Sequence, residues 1–399
     1  MRPLLIGART ASSCLGLGVE PTVAGLRDGA SGLKPCVFED VTLDTCIGVV
    51  PGVDDARLPA ALADFECRNN RLAMLALGHD GFEAAVARAR ARVGAARIGV
   101  FLGSSTSGIL ETELGYRMLD PVSGALPPGF HYAGSHNMFS VAAFVRALLA
   151  LEGPAAVIST ACSSSAKVFG AAARLIELGL IDAAVVGGVD SLCLTTLYGF
   201  HSLQLTAPRP CRPFSADRDG ISVGEAAAFA LLEKDAGAGP GVALLGVGES
   251  NDGYHLSSPH PEGLGARLAM QAALAAAALA PGAIDYINLH GTGTPSNDSA
   301  ESLAVSAVIG RTVPASSTKG ATGHALGAAG AIEAVISVLA IERGLMPGGA
   351  NTREADPALP VNYLTRSREA PVARVLSNSF GFGGSNCSLV FGREPGGPG

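Results

Sequence analysis

The sequence predicts an α/β protein made of two similar halves, and three observations support that reading. Short apolar runs at 3–7, 97–103, 155–158, 183–190 and 226–233 alternate with longer segments of helical spacing, the pattern of buried strands covered by helices. After the Gly/Ala/Pro segment 236–241 the alternation restarts, with strands expected at 242–248, 283–289, 313–316, 372–377 and 386–391 and helices at 264–280, 300–309 and 324–342. In each half a strand delivers a chemistry-bearing stretch to a small-residue helix: 155–158 leads to Cys162, and 313–317 leads to Lys319 and His324. Small residues let two such helices pack closely about an internal pseudo-twofold. The halves are placed at 1–238 and 239–399.

The remaining elements follow in order. A helix is expected over 19–27, ending near Gly29, and the Pro- and Gly-marked stretch 34–59 reads as irregular. A long Ala-rich helix is expected over 72–92, with breaks near Gly78 and Gly81, and another over 138–150. The stretch 205–224, with Pro208, Pro210 and Pro213 among charged residues, reads as an ordered surface loop.

A chain of 399 residues exceeds the usual size of one core and can bury a large one. With 48% hydrophobic residues, 16% charged ones and a net charge of -7, it is neither a disordered chain nor one drawn to nucleic acid by bulk charge. No secretory leader pattern opens it and no apolar run reaches membrane-spanning length, so a cytoplasmic protein is expected. Its eight cysteines are dispersed and form no CxxC pair, which argues against a disulfide scaffold and against a metal centre.

The chemistry gathers at element ends. Cys162 stands where a strand turns sharply into a helix, beside unpaired N–H groups that favour thiolate. It is a candidate nucleophile, or else a small buried apolar residue, the common fate of a free cysteine. His290 ends a strand and opens the turn Gly291-Thr292-Gly293-Thr294-Pro295, and His324 heads the helix 325–340. Each alone could be a hydrogen-bonded structural histidine, but ligands and reacting groups in α/β folds collect at such ends. The loop 378–386 sets three glycines around Phe380 and Phe382; it reads as a mobile cover over a pocket, or as a hairpin turn.

In these four stretches, 160–164, 290–295, 319–324 and 378–386, the chain resembles the β-ketoacyl-acyl carrier protein synthases, the condensing enzymes of fatty acid and polyketide synthesis. The likeness runs in order over nearly the whole chain. It implies a duplicated thiolase-like fold, five-layered α-β-α-β-α, usually in a dimer. It further implies that Cys162 accepts an acyl chain from phosphopantetheine, while His290 and His324 hydrogen-bond the thioester carbonyl of malonyl-carrier protein and promote decarboxylation. The N–H groups of Cys162 and Phe382 would form an oxyanion hole, within the loop holding Phe380, Gly381 and Gly383. Lys319 would pair with Glu301, with Asp298 nearby, and Thr292, Thr294, Ser257 and Thr106 would contact substrate.

No cofactor is implied beyond substrate carried on phosphopantetheine. The implied partners are an acidic acyl carrier protein, met by a basic rim for which Arg68, Arg71, Arg209 and Arg212 are the candidates, and a second subunit, identical or a chain-length factor. Two other readings stand beside this one: a non-catalytic chain-length-factor-like subunit, which typically lacks the nucleophile, and a coenzyme A thiolase. Ser165, where many relatives have glycine, Lys167, and the polar stretch 104–107 near the acyl-pocket floor depart from the family pattern. They leave fatty acid elongation, an aryl polyene pathway and other polyketide pathways all open.

Overall fold

The computed structural model describes residues 1–234 and 241–393. Its first sheet uses β1 (Leu4–Ser13), β2 (Ile98–Gly103), β3 (Ala155–Ile158), β4 (Ala183–Asp190) and β5 (Ala226–Glu233) in the spatial order β1-β5-β4-β2-β3. The second uses β6 (Val242–Asn251), β7 (Tyr286–Asn288), β8 (Pro314–Ser316), β9 (Arg374–Gly381) and β10 (Ser385–Arg393) in the order β6-β10-β9-β7-β8.

The two orders are the same. In each, the first two neighbouring pairs are antiparallel and the last two parallel. Even the register irregularity recurs, between Ile6 and Ala8 in β1 and between Leu244 and Gly246 in β6. The halves join edge to edge where Leu4 pairs with Leu244.

The helices complete the layers. Helices α1 (Arg68–Leu77) and α2 (Ser140–Leu148) pack on the outer face of the first sheet, Leu72, Leu77, Phe144 and Val145 meeting Val100, Leu102 and Val185. Helix α3 (Ser164–Glu177) lies between the sheets. Helices α4 (Leu264–Ala276) and α5 (Pro295–Val308) cover the second sheet through Met270, Leu274 and Val305. Helix α6 (Ala329–Arg343) lies beside α3, and one continuous core runs from Phe169 and Ile176 through Val338 to Leu232, Leu389 and Phe391. The layers are α-β-α-β-α, as the resemblance implied. Helix α6 is buried on all sides from Ala329 to Ile341, because every face meets a sheet or a helix. Glycine makes the close approach: a Cβ on Gly330 would lie 2.6 Å from the Ala166 nitrogen of α3.

Element boundaries moved where tertiary contacts override local pattern. The helix expected over 72–92 is two, the second at Phe82–Val93. Helix α5 begins at Pro295, well before the expected 300, because proline presets the first turn. Helix α6 begins at Ala329, so His324 lies in the connection between it and a single turn, Lys319–Thr322. Helices at Ile109–Arg117 and Leu194–Ser202 were not foreseen. The proposed junction 236–241, with its boundary at 238, lies outside the described residues except for Gly241. Among the described residues no helix is long and apolar enough to cross a membrane.

Candidate active site

The site is built on corresponding strand ends of the two sheets. β3 stops at Ile158, and Ala161 takes a left-handed φ of 51° that turns the chain sharply into α3 and sets Cys162 at the bend. An alanine rarely adopts that conformation, so the turn is held by its surroundings. Ser164 Oγ accepts from Thr160 N (2.9 Å) and also donates to the Ala161 carbonyl. On the other side, a Cβ on Gly381 would lie 3.2 Å from the Cys162 nitrogen, so that position needs glycine.

Cys162 is buried. Burial pushes its thiol up to about 11, against the Lys319 charge and the N–H groups of Phe382 and of Cys162 itself. The helix-start effect read from the sequence is therefore present but outweighed, because the sulfur is closed off from water. The same two N–H groups assigned to the oxyanion hole face the sulfur.

From the second half, β7 delivers His290, and the strand-like contact of His324 with Val223 and Ser222 fixes the other imidazole. The rings stand edge to face with centroids 5.4 Å apart. Cys162 Sγ and a nitrogen from each histidine all lie within 4.8 Å of one another. Leu326 N–H donates to His324 Nδ1 (3.1 Å), which assigns that proton to Nε2. Lys319 Nζ stands 3.4 Å from His290 Nδ1, which assigns the same tautomer there. Burial, then Lys319, holds both imidazoles well below their ordinary range, with His324 adding to the effect on His290. Two neutral rings thus present N–H donors beside the sulfur. These three groups could in principle ligate a soft divalent ion, but the adjacent Lys319 ammonium opposes one.

Lys319 is buried and donates to the His290 carbonyl (2.5 Å) and to the carboxylate of Glu333 on α6. This corrects the expected pairing with Glu301. Glu301 instead accepts from His290 N and Gly291 N (2.8 Å each) and from Asn378 Nδ2 (3.1 Å), fixing the turn that aims His290. Asp298 braces the next part of that turn, accepting from Gly293 N (3.2 Å) and Phe214 N (2.8 Å). The narrow cleft over these groups, about 60 Å³, is walled by Thr292, Thr294, Ser257, Phe380 and Phe382. Phe382 closes it against Phe200, ring centroids 5.9 Å apart.

Comparison with known proteins bears on this geometry. Residues 69–238 match the beta-ketoacyl synthase N-terminal domain and 242–353 the C-terminal domain. The chain belongs to the β-ketoacyl synthase family. It is 36% identical over 319 residues to 3-oxoacyl-[acyl-carrier-protein] synthase 2 of Vibrio cholerae, covering 75% of this chain and 76% of that one. To the mitochondrial 3-oxoacyl-[acyl-carrier-protein] synthase of Arabidopsis thaliana it is 40% identical over 60% of this chain, which spans 56% of that protein. A chain from the structure of a Xenorhabdus doucetiae ketosynthase in complex with its chain length factor superposes with a TM-score of 0.88 at 40% identity over 98% of both chains.

As a β-ketoacyl synthase the chain is an acyltransferase of the condensing type. Several residues chosen from sequence nevertheless lie away from the cleft. Thr106 is buried, donates to Asp190 and does not line the cleft. Arg68 is internal: its guanidinium binds Glu225 in two bonds of 2.8 Å, and so it cannot form part of a docking rim. Arg71 pairs with Glu66, and Arg212, largely buried, with Asp217 and Asp219. Arg209 is the exposed candidate, on the loop whose Leu205 and Ile221 line the cleft. Gly383, with φ 76°, turns the β9–β10 hairpin, so the Gly-rich loop is both a hairpin and a wall of the cleft. Lys167 reaches Glu249 (3.6 Å) and is no stray charge.

Glu333 was missed. The signal was available: one acid within an otherwise apolar stretch of helix needs a cationic partner. Asp252 and Asn386, which line the cleft and bond to each other at 2.8 Å, had no comparable signature.

Proposed function

We propose that the chain is a decarboxylating β-ketoacyl-acyl carrier protein synthase with Cys162 as nucleophile. The observation that carries this is the meeting of one thiol and two neutral imidazoles within 4.8 Å, with a buried lysine behind them. Cys162 sulfur attacks the acyl thioester on phosphopantetheine, and the carrier thiol leaves with the proton. Malonyl-carrier protein then enters. The Nε2–H groups of His290 and His324 bond its thioester carbonyl, so negative charge grows on that oxygen as the C–C bond to the carboxylate breaks and carbon dioxide departs. The resulting carbanion attacks the Cys162 thioester carbonyl. Its oxyanion is held by the N–H groups of Cys162 and Phe382, and collapse expels the Cys162 thiolate and frees the β-ketoacyl product.

Lys319 and Glu333 hold His290 in place, and Thr292, Thr294 and Ser257 line the approach of the phosphopantetheine arm. The cleft as it stands has room for a few waters, so Phe382 swings off Phe200 when acyl chain enters. A chain-length-factor-like role is disfavoured by the complete set of Cys162, His290, His324 and Lys319.

His324→Ala is expected to lower carbon dioxide release from malonyl-carrier protein by ~100-fold or more. Release at the wild-type rate would remove His324 from this role. Arg209, 63% exposed on its side chain, is proposed to meet the acidic carrier. Arg209→Glu should raise KM for acyl-carrier protein about tenfold while sparing a small-molecule thioester; equal loss with both substrates would count against that contact.

Fatty acid elongation and a specialised polyene or polyketide system both stay within this reading, and the neighbour at 40% identity, from a ketosynthase solved in complex with its chain length factor, supports a pathway in which such a factor takes part. The proposed second subunit, identical or chain-length-factor-like, docks where β3 forms an open sheet edge and Tyr116, Met118, Val122 and Tyr132 are exposed. Native mass spectrometry would decide the composition, and a monomer at micromolar concentration would refute the dimer. A cytoplasmic setting accords with eight free cysteines.

A further inference from the structure

Helix α6 begins without a cap of its own. Its N-cap residue is Ala328, which offers no side-chain acceptor, yet the first N–H groups of a buried helix need partners. Two side chains from the other half of the molecule supply them. Asp190, at the end of β4, accepts the Ala328 N–H at 3.2 Å, shared with the Ala325 carbonyl at 2.9 Å. Ser165, on α3 three residues beyond Cys162, accepts the Ala331 N–H at 2.8 Å through its hydroxyl.

Asp190 does more than cap. Its carboxylate also accepts from Ser104 Oγ (2.8 Å), Ser105 N (2.8 Å), Thr106 N (2.9 Å) and Thr106 Oγ1 (2.8 Å), gathering the loop after β2. The polarity of 104–107 is therefore largely spent on this carboxylate. Packing leaves little slack around these caps: a Cβ on Gly327 would lie 2.8 Å from Asp190 Oδ2, and one on Gly188 would lie 2.5 Å from Ser165 Cβ.

What these caps hold is the catalytic side of the second half. His324 lies four residues before Ala328, and Glu333 lies two residues after Ala331, where it binds Lys319 and through it His290. We infer that Asp190 and Ser165 are positioning residues that set His324 and the Glu333–Lys319 pair against Cys162 by capping α6 from the nucleophile half. Neither touches the reacting atoms. The inference rests on the condensing reading above for its consequence in catalysis, but its geometric content can be tested without substrate.

Two variants and two readouts test it. Ser165→Ala removes one acceptor and keeps Cβ; Asp190→Asn turns one oxygen into a donor facing N–H groups. The pH profile of Cys162 alkylation by iodoacetamide reports the field of Lys319 and the histidines at the sulfur, and its midpoint should move by about one pH unit in Asp190→Asn. Carbon dioxide release from malonyl-carrier protein should fall ~10-fold in Ser165→Ala and ~100-fold in Asp190→Asn, with each protein folded by its melting curve. A wild-type profile and wild-type release in folded Ser165→Ala would overturn the inference, as would loss of both signals only in proportion to unfolded protein. If the wild type releases no carbon dioxide, the condensing reading fails, and the alkylation profile still decides whether the two caps position the site.

Discussion

Cys162→Ala is expected to abolish the acyl adduct and to lower condensation by roughly 10⁴-fold or more while leaving the protein folded. Alanine fits the bend, because the left-handed strain sits at Ala161 and not at Cys162. Among the described residues no other cysteine lines the cleft, so none can stand in. Intact-mass measurement after incubation with a panel of acyl-carrier proteins checks this, and the mass gained by wild type names the acyl group. An adduct that persists in the variant would take the nucleophile's role away from Cys162.

The wild-type sulfur carries a further signature. Its thiol is pushed up to about 11 by burial, so below that pH the thiolate fraction grows about tenfold per unit. Alkylation of the free protein should accelerate accordingly from pH 7 to 9. A rate that is flat over that range would mean a thiolate already formed at neutral pH.

Lys319→Ala should have the second largest effect, on stability as well as on catalysis. It leaves the Glu333 carboxylate buried at 2% exposure with no cation, and breaking a buried pair from one side costs about 3–5 kcal/mol. It also releases the His290 carbonyl and the contact at Nδ1. Denaturant unfolding and carbon dioxide release should both fall. The double replacement Lys319→Met with Glu333→Leu separates the two effects, because removing both charges together is often close to neutral for stability. Stability should return while decarboxylation stays low. Unchanged stability and release in Lys319→Ala would show that the pair holds nothing.

Much of this molecule was legible in one dimension because its strands are buried on both faces and read as apolar runs. β2, β3 and β4 lay within a residue of expectation for that reason. The duplication was visible as a restart of pattern, and Cys162, His290 and His324 stood out because each reactive type falls at a strand end beside small residues. The unforeseen helices Ile109–Arg117 and Leu194–Ser202 have weak periodicity and pack against each other, Leu110 and Leu114 sharing a cluster with Leu194 and Leu197, a tertiary contact that local pattern does not announce.

Pairing was another matter. Lys319 has three carboxylates within reach of a sequence argument, Asp298, Glu301 and Glu333, and Glu301 lies in the helix that follows the 290–295 stretch. Only the packing of α6 against β9 brings Glu333 to the ammonium, and the turn's own N–H groups consume Glu301. Arg68 and Thr106 likewise read as available because sequence marks polarity, not depth; in the fold each is drawn inward by a buried acid, Glu225 or Asp190. The order of residues along the chain dictates which segments become strands and where reactive side chains emerge, since both depend on near neighbours. Which charge answers which, and how far the Cys162 sulfur is removed from water, depend on two sheets closing over α3 and α6, an assembly held by contacts as distant along the chain as Arg68 with Glu225 and Ser165 with Ala331.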